Sequence, residues 1–72
     1  MKYIISYDMF EVLKNDKKFV NMNGETYQEY LIINLFEKLT KEIIEEIRIC
    51  KKISDCFYVL NYYDIDYTII NI

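Results

Sequence analysis

Ser54-Asp55-Cys56-Phe57-Tyr58-Val59-Leu60-Asn61-Tyr62-Tyr63-Asp64-Ile65-Asp66-Tyr67-Thr68-Ile69-Ile70-Asn71-Ile72 is the stretch whose secondary structure decides the fold. It is dense in β-branched and aromatic residues, which suit a pleated, half-buried surface. Ser54-Asp55 breaks the preceding pattern, and Tyr63-Asp64-Ile65-Asp66 is a polar joint in the middle. Residues 56–61 and 67–72 therefore read as two strands paired as a hairpin or meander. With that pair in place, the expected architecture is α+β: a small antiparallel or mixed sheet of three to four strands, with two helices packed on one face.

Working toward the N-terminus, residues 2–7 are a short apolar run that predicts a first strand. Residues 9–13 either extend it or begin a short helix, and the pattern leaves both open. Lys14-Asn15-Asp16-Lys17-Lys18 is polar without apolar periodicity and reads as a solvated turn. Residues 19–22 predict a short strand ended by Asn23-Gly24, the strongest turn signal in the chain. Thr26 with Glu29 is a capping-box pattern, in which the two side chains satisfy free backbone N–H groups at a helix start. It introduces a broadly buried helix over 27–39, with Tyr27, Tyr30, Leu31 and Leu35, and then Ile32, Phe36 and Leu39, at helical spacing.

A second helix is expected over 41–53 behind a Thr40 cap. Ile43, Ile44, Ile47 and Cys50 share a face, and Glu42, Glu45, Glu46 and Lys52 lie mostly off it. Ile47-Arg48-Ile49 alternates like a strand. The glutamates near the start and Lys51-Lys52 near the end nevertheless match the helix macrodipole, so the spacing favours helix.

Seventy-two residues make one domain, residues 1–72, without linker, repeat or low-complexity tract. A chain of this size hides only about 60–65% of the surface its unfolded form exposes, so its stability margin is thin. Its 53% hydrophobic content is too high for disorder. The apolar surplus also leaves both a monomer and a homodimer open. Ile, Lys, Asn, Tyr and Phe, all with AT-rich codons, fill more than half of the chain. That bias points to a low-GC bacterium or to a phage or other mobile element living in one.

Twelve acidic and nine basic side chains leave a net charge of −3. Nucleic-acid binding rests on Lys and Arg neutralising phosphates, so direct binding is not expected. Anionic membranes are disfavoured for the same reason. No run reads as a signal-peptide core or a spanning helix, so the expected location is cytoplasmic, in the host cytoplasm if the chain is phage-encoded. Cys50 and Cys56 would stay reduced there.

Catalytic chemistry finds little support. The chain has no His, which removes the commonest general base near neutral pH and the usual partner of a Ser or Cys nucleophile. One glycine, Gly24, cannot form a phosphate-cradling loop. Cys50 and Cys56 supply two soft ligands where a closed zinc site needs four, short of a site shared across a dimer. Asp64-Ile65-Asp66 suits a solvated turn better than a hard-cation site. The expectation is therefore a non-enzyme without cofactor or metal.

Interaction surfaces remain. Tyr58, Tyr62, Tyr63 and Tyr67 cluster beside Asp55, Asp64 and Asp66, and Glu42, Glu45 and Glu46 form a second acidic element. Tyrosine buries a large area at low rotamer cost and keeps a polar handle, which enriches it at interface hot spots. These ten residues are the candidate partner-binding set. The plainer alternatives are tyrosines that cover a sheet and glutamates on a solvated helix face.

Two resemblances bear on function. Tyr3-Ile4-Ile5-Ser6-Tyr7-Asp8-Met9 resembles the opening strand of Cas2-like ferredoxin-fold proteins, a hydrophobic first strand ending in an aspartate. It implies a homodimer acting on nucleic acid or metal through Asp8. It covers about a tenth of the chain, lacks that family's basic character, and lacks a prompt helix after Asp8. In profile, the small, acidic, motif-free chain is similar to phage-encoded anti-defence inhibitors of the anti-CRISPR type. That similarity implies a protein that blocks a host protein or nucleoprotein complex, of CRISPR or restriction type, by occupying a basic surface. A housekeeping or antitoxin-like interaction module is the further alternative.

Overall fold

The computed structural model describes residues 2–15 and 26–71. Strand β1 (Tyr3–Ile5) leads into helix α1 (Tyr7–Lys14). Helix α2 (Tyr27–Leu35) runs into a 3-10 turn (Phe36–Lys38), followed by α3 (Lys41–Ile49), α4 (Ile53–Tyr62) and strand β2 (Thr68–Ile70). The expected strand over 19–22, the Asn23-Gly24 turn and residues 16–18 of the polar turn lie outside the described residues. Within them the fold corrects the expected α+β sheet. It is a mostly helical domain of four helices with one two-stranded parallel sheet, Tyr3 pairing with Thr68, Ile4 with Ile69 and Ile5 with Ile70.

The correction turns on residues 53–62, which form a helix and not a strand. Ile53, Cys56, Phe57 and Leu60 stand at i, i+3, i+4 and i+7, the spacing of one helical face. Cys56 and Leu60 are fully buried, and Ile53 and Phe57 pack against the core beside them. That periodicity outweighs the β-propensity of the individual residues, because propensity reports the packing surface more than the backbone. Ser54 and Asp55 belong to the first turn, where an acidic side chain meets the positive end of the helix dipole. With residues 56–61 helical, β2 has no hairpin partner and pairs with β1 instead.

The two threonine caps act as expected. The hydroxyls of Thr26 and Thr40 accept the N–H groups of Glu29 (3.2 Å) and Ile43 (3.3 Å) at the starts of α2 and α3. Ser6 caps α1 through the Met9 N–H at 3.4 Å. A helix therefore does follow β1 promptly, and Asp8 lies exposed in its first turn rather than at a strand end. The β-α-β-β-α-β order of a ferredoxin-like fold is not the order of the described elements. Helix α2 ends at Leu35, short of the expected 39, and α3 ends at Ile49, with Cys50 as its extended C-cap.

Helix α2 carries Tyr27, Tyr30, Leu31, Ile32 and Leu35, all buried. Ile4, Phe10, Ile43, Ile47, Cys56 and Leu60 complete the core. Tyr27 and Tyr30 also serve the sheet. Lys2 C=O accepts from Thr68 N–H (2.7 Å) and Ser6 N–H donates to Ile70 C=O (3.1 Å), so these residues of the β1 segment face β2. Ile5 turns its polar groups the other way, where its N–H donates to the Tyr30 hydroxyl (2.8 Å) and its C=O accepts from the Tyr27 hydroxyl (2.6 Å). Two phenols thus replace a third strand. Their rings stack at 5.5 Å and meet Phe10 at 5.2 Å each.

Helix α4 ends in a Schellman motif. Ile65 N–H donates to Leu60 C=O (2.9 Å), Asp64 N–H donates to Asn61 C=O (3.2 Å), and Asp64 takes φ 55°. Glycine is the usual residue here, and its absence hides the helix end from the sequence pattern.

Removing one partner of a buried hydrogen bond costs about 1–3 kcal/mol. Tyr30→Phe should therefore lower stability in urea unfolding by about 1–2 kcal/mol, whereas Tyr62→Phe on the exposed face of α4 should stay within about 0.5 kcal/mol. Asp64→Gly, which relieves the left-handed conformation, should raise stability by about 0.5 kcal/mol in the same measurement.

Candidate functional site

Helices α3 and α4 are joined by Cys50-Lys51-Lys52 and pack side by side, each turning one charged or aromatic stripe outward. Along α4 the outward stripe is Asp55, Tyr58 and Tyr62, spaced three and four residues apart, and half-buried Val59 beside it packs inward against the core. Tyr58 and Tyr62 are each 71% exposed and stand one turn apart, so they form a contiguous aromatic patch rather than single exposed side chains. Along α3, Glu42 and Glu46 are one turn apart on the facing stripe. The two stripes meet in an open groove of about 210 Å³ lined by Glu46, Tyr58, Val59, Tyr62 and Tyr63.

Tyr63, at the C-cap of α4, is one of the lining residues. Its hydroxyl donates to Glu46 Oε2, and its ring stands edge-on to Tyr62 at 5.0 Å and 82°. The hydrogen bond to Glu46 pushes the Tyr63 phenol up to about 12, and the charges of Glu46 and Glu42 add to the shift. The Tyr63 phenol therefore stays a neutral donor to Glu46 through the physiological range.

The ten predicted residues do not form one surface. Glu46, Tyr58, Tyr62 and Tyr63 line the groove, Glu42 lies close enough to act on Tyr63, and Asp55 begins the same stripe of α4. Glu45 is exposed on α3 outside the groove lining. Asp64 occupies the Schellman position, and Asp66 faces Lys38 Nζ at 3.6 Å. Tyr67 serves the fold: its ring packs on Phe57 at 5.8 Å, and its hydroxyl donates to Asn61 Oδ1 at 2.8 Å. Val59 was missed by sequence reasoning. Its signal was the spacing with Asp55 and Tyr62, visible only once the segment is read as helix.

Glu29, expected to close the capping box, meets Arg48 Nε at 3.1 Å across α2 and α3. Both side chains are partly exposed, so the pair contributes at most about 1 kcal/mol. A second cavity, about 330 Å³, lies beside α1 and α2 and is lined by Tyr7, Glu11, Lys14 and Lys51 among others. Its described lining carries both signs of charge.

The two cysteines are free thiols. Cys50 Sγ donates to Glu46 C=O (3.1 Å) and Cys56 Sγ to Ile47 C=O (3.9 Å). Burial, with the neighbouring Cys50 thiol next, pushes the Cys56 thiol up to about 12 from its usual value near 9. Burial likewise raises the Tyr27 phenol well above its ordinary value, with Tyr30 adding to it. Among the described residues no three Cys, Asp or Glu side chains gather as a metal-holding group, and no helix is long and apolar enough to cross a membrane.

Compared with known protein families, curated proteins and solved structures, the chain matches none.

A thiol whose folded pKa lies above its unfolded one contributes stability that is complete below the unfolded value. That stability is lost as pH rises from about 9 toward about 12 for Cys56. Urea unfolding should show a plateau up to about pH 9 and then a decline, on the order of 1–2 kcal/mol by about pH 11. In Cys56→Ala the decline should begin about one pH unit later, where the tyrosines take over. An onset unchanged from wild type would exclude Cys56 as its source.

Proposed function

We propose that the chain is a small acidic protein-binding inhibitor encoded by a phage or other mobile element. Its target is a host nucleic-acid-handling defence complex, of CRISPR or restriction type, and it blocks that complex by occupying a Lys/Arg-lined surface. One observation carries this reading. Tyr58 and Tyr62 stand out from α4 into solvent directly beside the carboxylate of Glu46, with Glu42 one turn away. In a chain short of core volume, two large aromatic side chains left exposed on one stripe are what a protein-facing surface looks like.

Division of labour follows from the chemistry. Glu42, Glu46 and Asp55 attract a basic partner and orient it during approach, an effect that falls with ionic strength. Tyr58 and Tyr62 then bury area against it, and exclusion of water around them slows dissociation. Net charge sets the sign of the partner: at −3 the chain is attracted to the same basic surfaces that hold nucleic acid.

The experiment is capture of the partner from a nuclease-treated lysate of a low-GC bacterium on the tagged chain. The expected result is one protein or protein complex retained in stoichiometric amount despite nuclease. Tyr58→Ala with Tyr62→Ala should reduce retention about tenfold or more, the scale of interface hot spots, and Phe36→Ala, exposed away from the groove, should leave it unchanged. Equal retention by the tyrosine variant and wild type would remove this face from the interface.

A further inference from the structure

The groove between α3 and α4 has a chemistry narrower than a general protein-binding surface. Its lining is three phenol rings, one valine and one carboxylate, with no lysine or arginine among the described residues that form it. Where partners of the chain's own cations are seen, they lie elsewhere: Arg48 on Glu29, Lys38 on Asp66 and Lys14 over the Phe10 ring. Tyr63 holds Oε2 of Glu46 and so fixes the carboxylate at the groove wall. The perpendicular rings of Tyr62 and Tyr63 offer a flat ligand one face to lie on and a second ring edge-on beside it.

Electron-rich ring faces next to a carboxylate attract an organic cation. The kind of cation follows from the shape. A quaternary ammonium has no N–H for Glu46 and gains most from rings on every side, whereas this groove is open along Tyr58 and Tyr62. A lysine ammonium is compact and strongly hydrated, and shedding its water against an open aromatic wall costs more than the wall returns. A guanidinium is flat, weakly hydrated and edged with N–H donors. It can stack on a tyrosine ring while an edge N–H bonds the carboxylate.

We infer that the Glu46–Tyr58–Tyr62–Tyr63 groove is a receptor for a single guanidinium group, supplied by an arginine side chain of a protein partner. The inference rests on the binding face described above and specifies what that face recognises.

The test needs no partner. ¹⁵N-labelled protein is titrated with N-acetyl-arginine amide, and in parallel with the corresponding citrulline and lysine derivatives, while backbone amide shifts are followed. The arginine probe should produce saturable shifts centred on Val59, Tyr62 and Tyr63. Citrulline, flat but uncharged, should produce none at the same concentration, and lysine should bind more weakly than arginine. Glu46→Gln and Tyr62→Ala should each weaken the arginine probe about fivefold, and Tyr62→Phe should hold affinity within about twofold, since the ring does the stacking. Non-saturable shifts, equal response to citrulline, or lysine binding as tightly as arginine would each overturn the guanidinium assignment. The two levels separate cleanly. If the probe fails while the double tyrosine variant still loses its partner, the face stands and the groove assignment falls. If the probe binds while that variant keeps its partner, the groove stands and the face falls.

Discussion

Two phenol hydroxyls, those of Tyr27 and Tyr30, do for Ile5 what a neighbouring strand would do, and the rest of the fold depends on that substitution. A two-stranded parallel sheet has few hydrogen bonds of its own, and parallel pairs normally sit in larger, covered sheets. Here β1 is held on one side by β2 and on the other by the two hydroxyls, so the backbone of a short strand is satisfied at its inner edge. Because both tyrosines belong to α2, the sheet is tied directly to the most buried helix. The same rings close on Phe10 of α1 and, from Tyr27, on Phe57 of α4. Sheet, entry helix and core thus share one aromatic cluster.

That arrangement explains how tyrosine plays opposite parts in one small chain. Tyr27 and Tyr30 are buried with their hydroxyls spent on backbone groups, and Tyr67 is half-buried with its hydroxyl on Asn61. Tyr58 and Tyr62 have no such duty and face water. Tyr63 lies between the two classes, half-buried with its hydroxyl on Glu46 at the groove wall. A buried hydroxyl must find a partner or cost stability, so the partners sort the tyrosines into structural and available ones. Tyr58 and Tyr62 fall next to the carboxylates of α3, which gives that surface both an aromatic and an anionic character, whereas exposed Tyr3 and Tyr7 lie on β1 and α1.

Some of this was legible beforehand. The capping threonines at 26 and 40 and the apolar spacing of Tyr27, Tyr30, Leu31 and Leu35 announced α2 and α3, because a cap or a turn of helix involves residues three or four apart. Composition and clustering also single out Glu46, Tyr58, Tyr62 and Tyr63, which line the groove. Helix α4 was not found, although Ile53, Cys56, Phe57 and Leu60 carry its spacing. Tyr58, Val59 and Tyr62 favour strands as residue types, and the chain has no glycine at 64 to announce the helix end. A strand over 56–61 would also put Tyr58 on one sheet face with Leu60, which is core.

By itself, the sequence determined the starts of α2 and α3, the apolar character of the runs around Ile4 and Ile69, and the acidic charge with its stock of tyrosines. Each of these is written in residues close together in the chain or in composition. The tertiary structure alone decided that β1 pairs with β2 in parallel from opposite ends of the described chain. It also decided that Tyr27 and Tyr30 are consumed by Ile5, and that Glu46 meets Tyr63. These contacts join residues far apart in sequence. They form only because packing of the helices and the sheet around the core offsets the entropy of bringing them together, and no local pattern records which distant partner will be there.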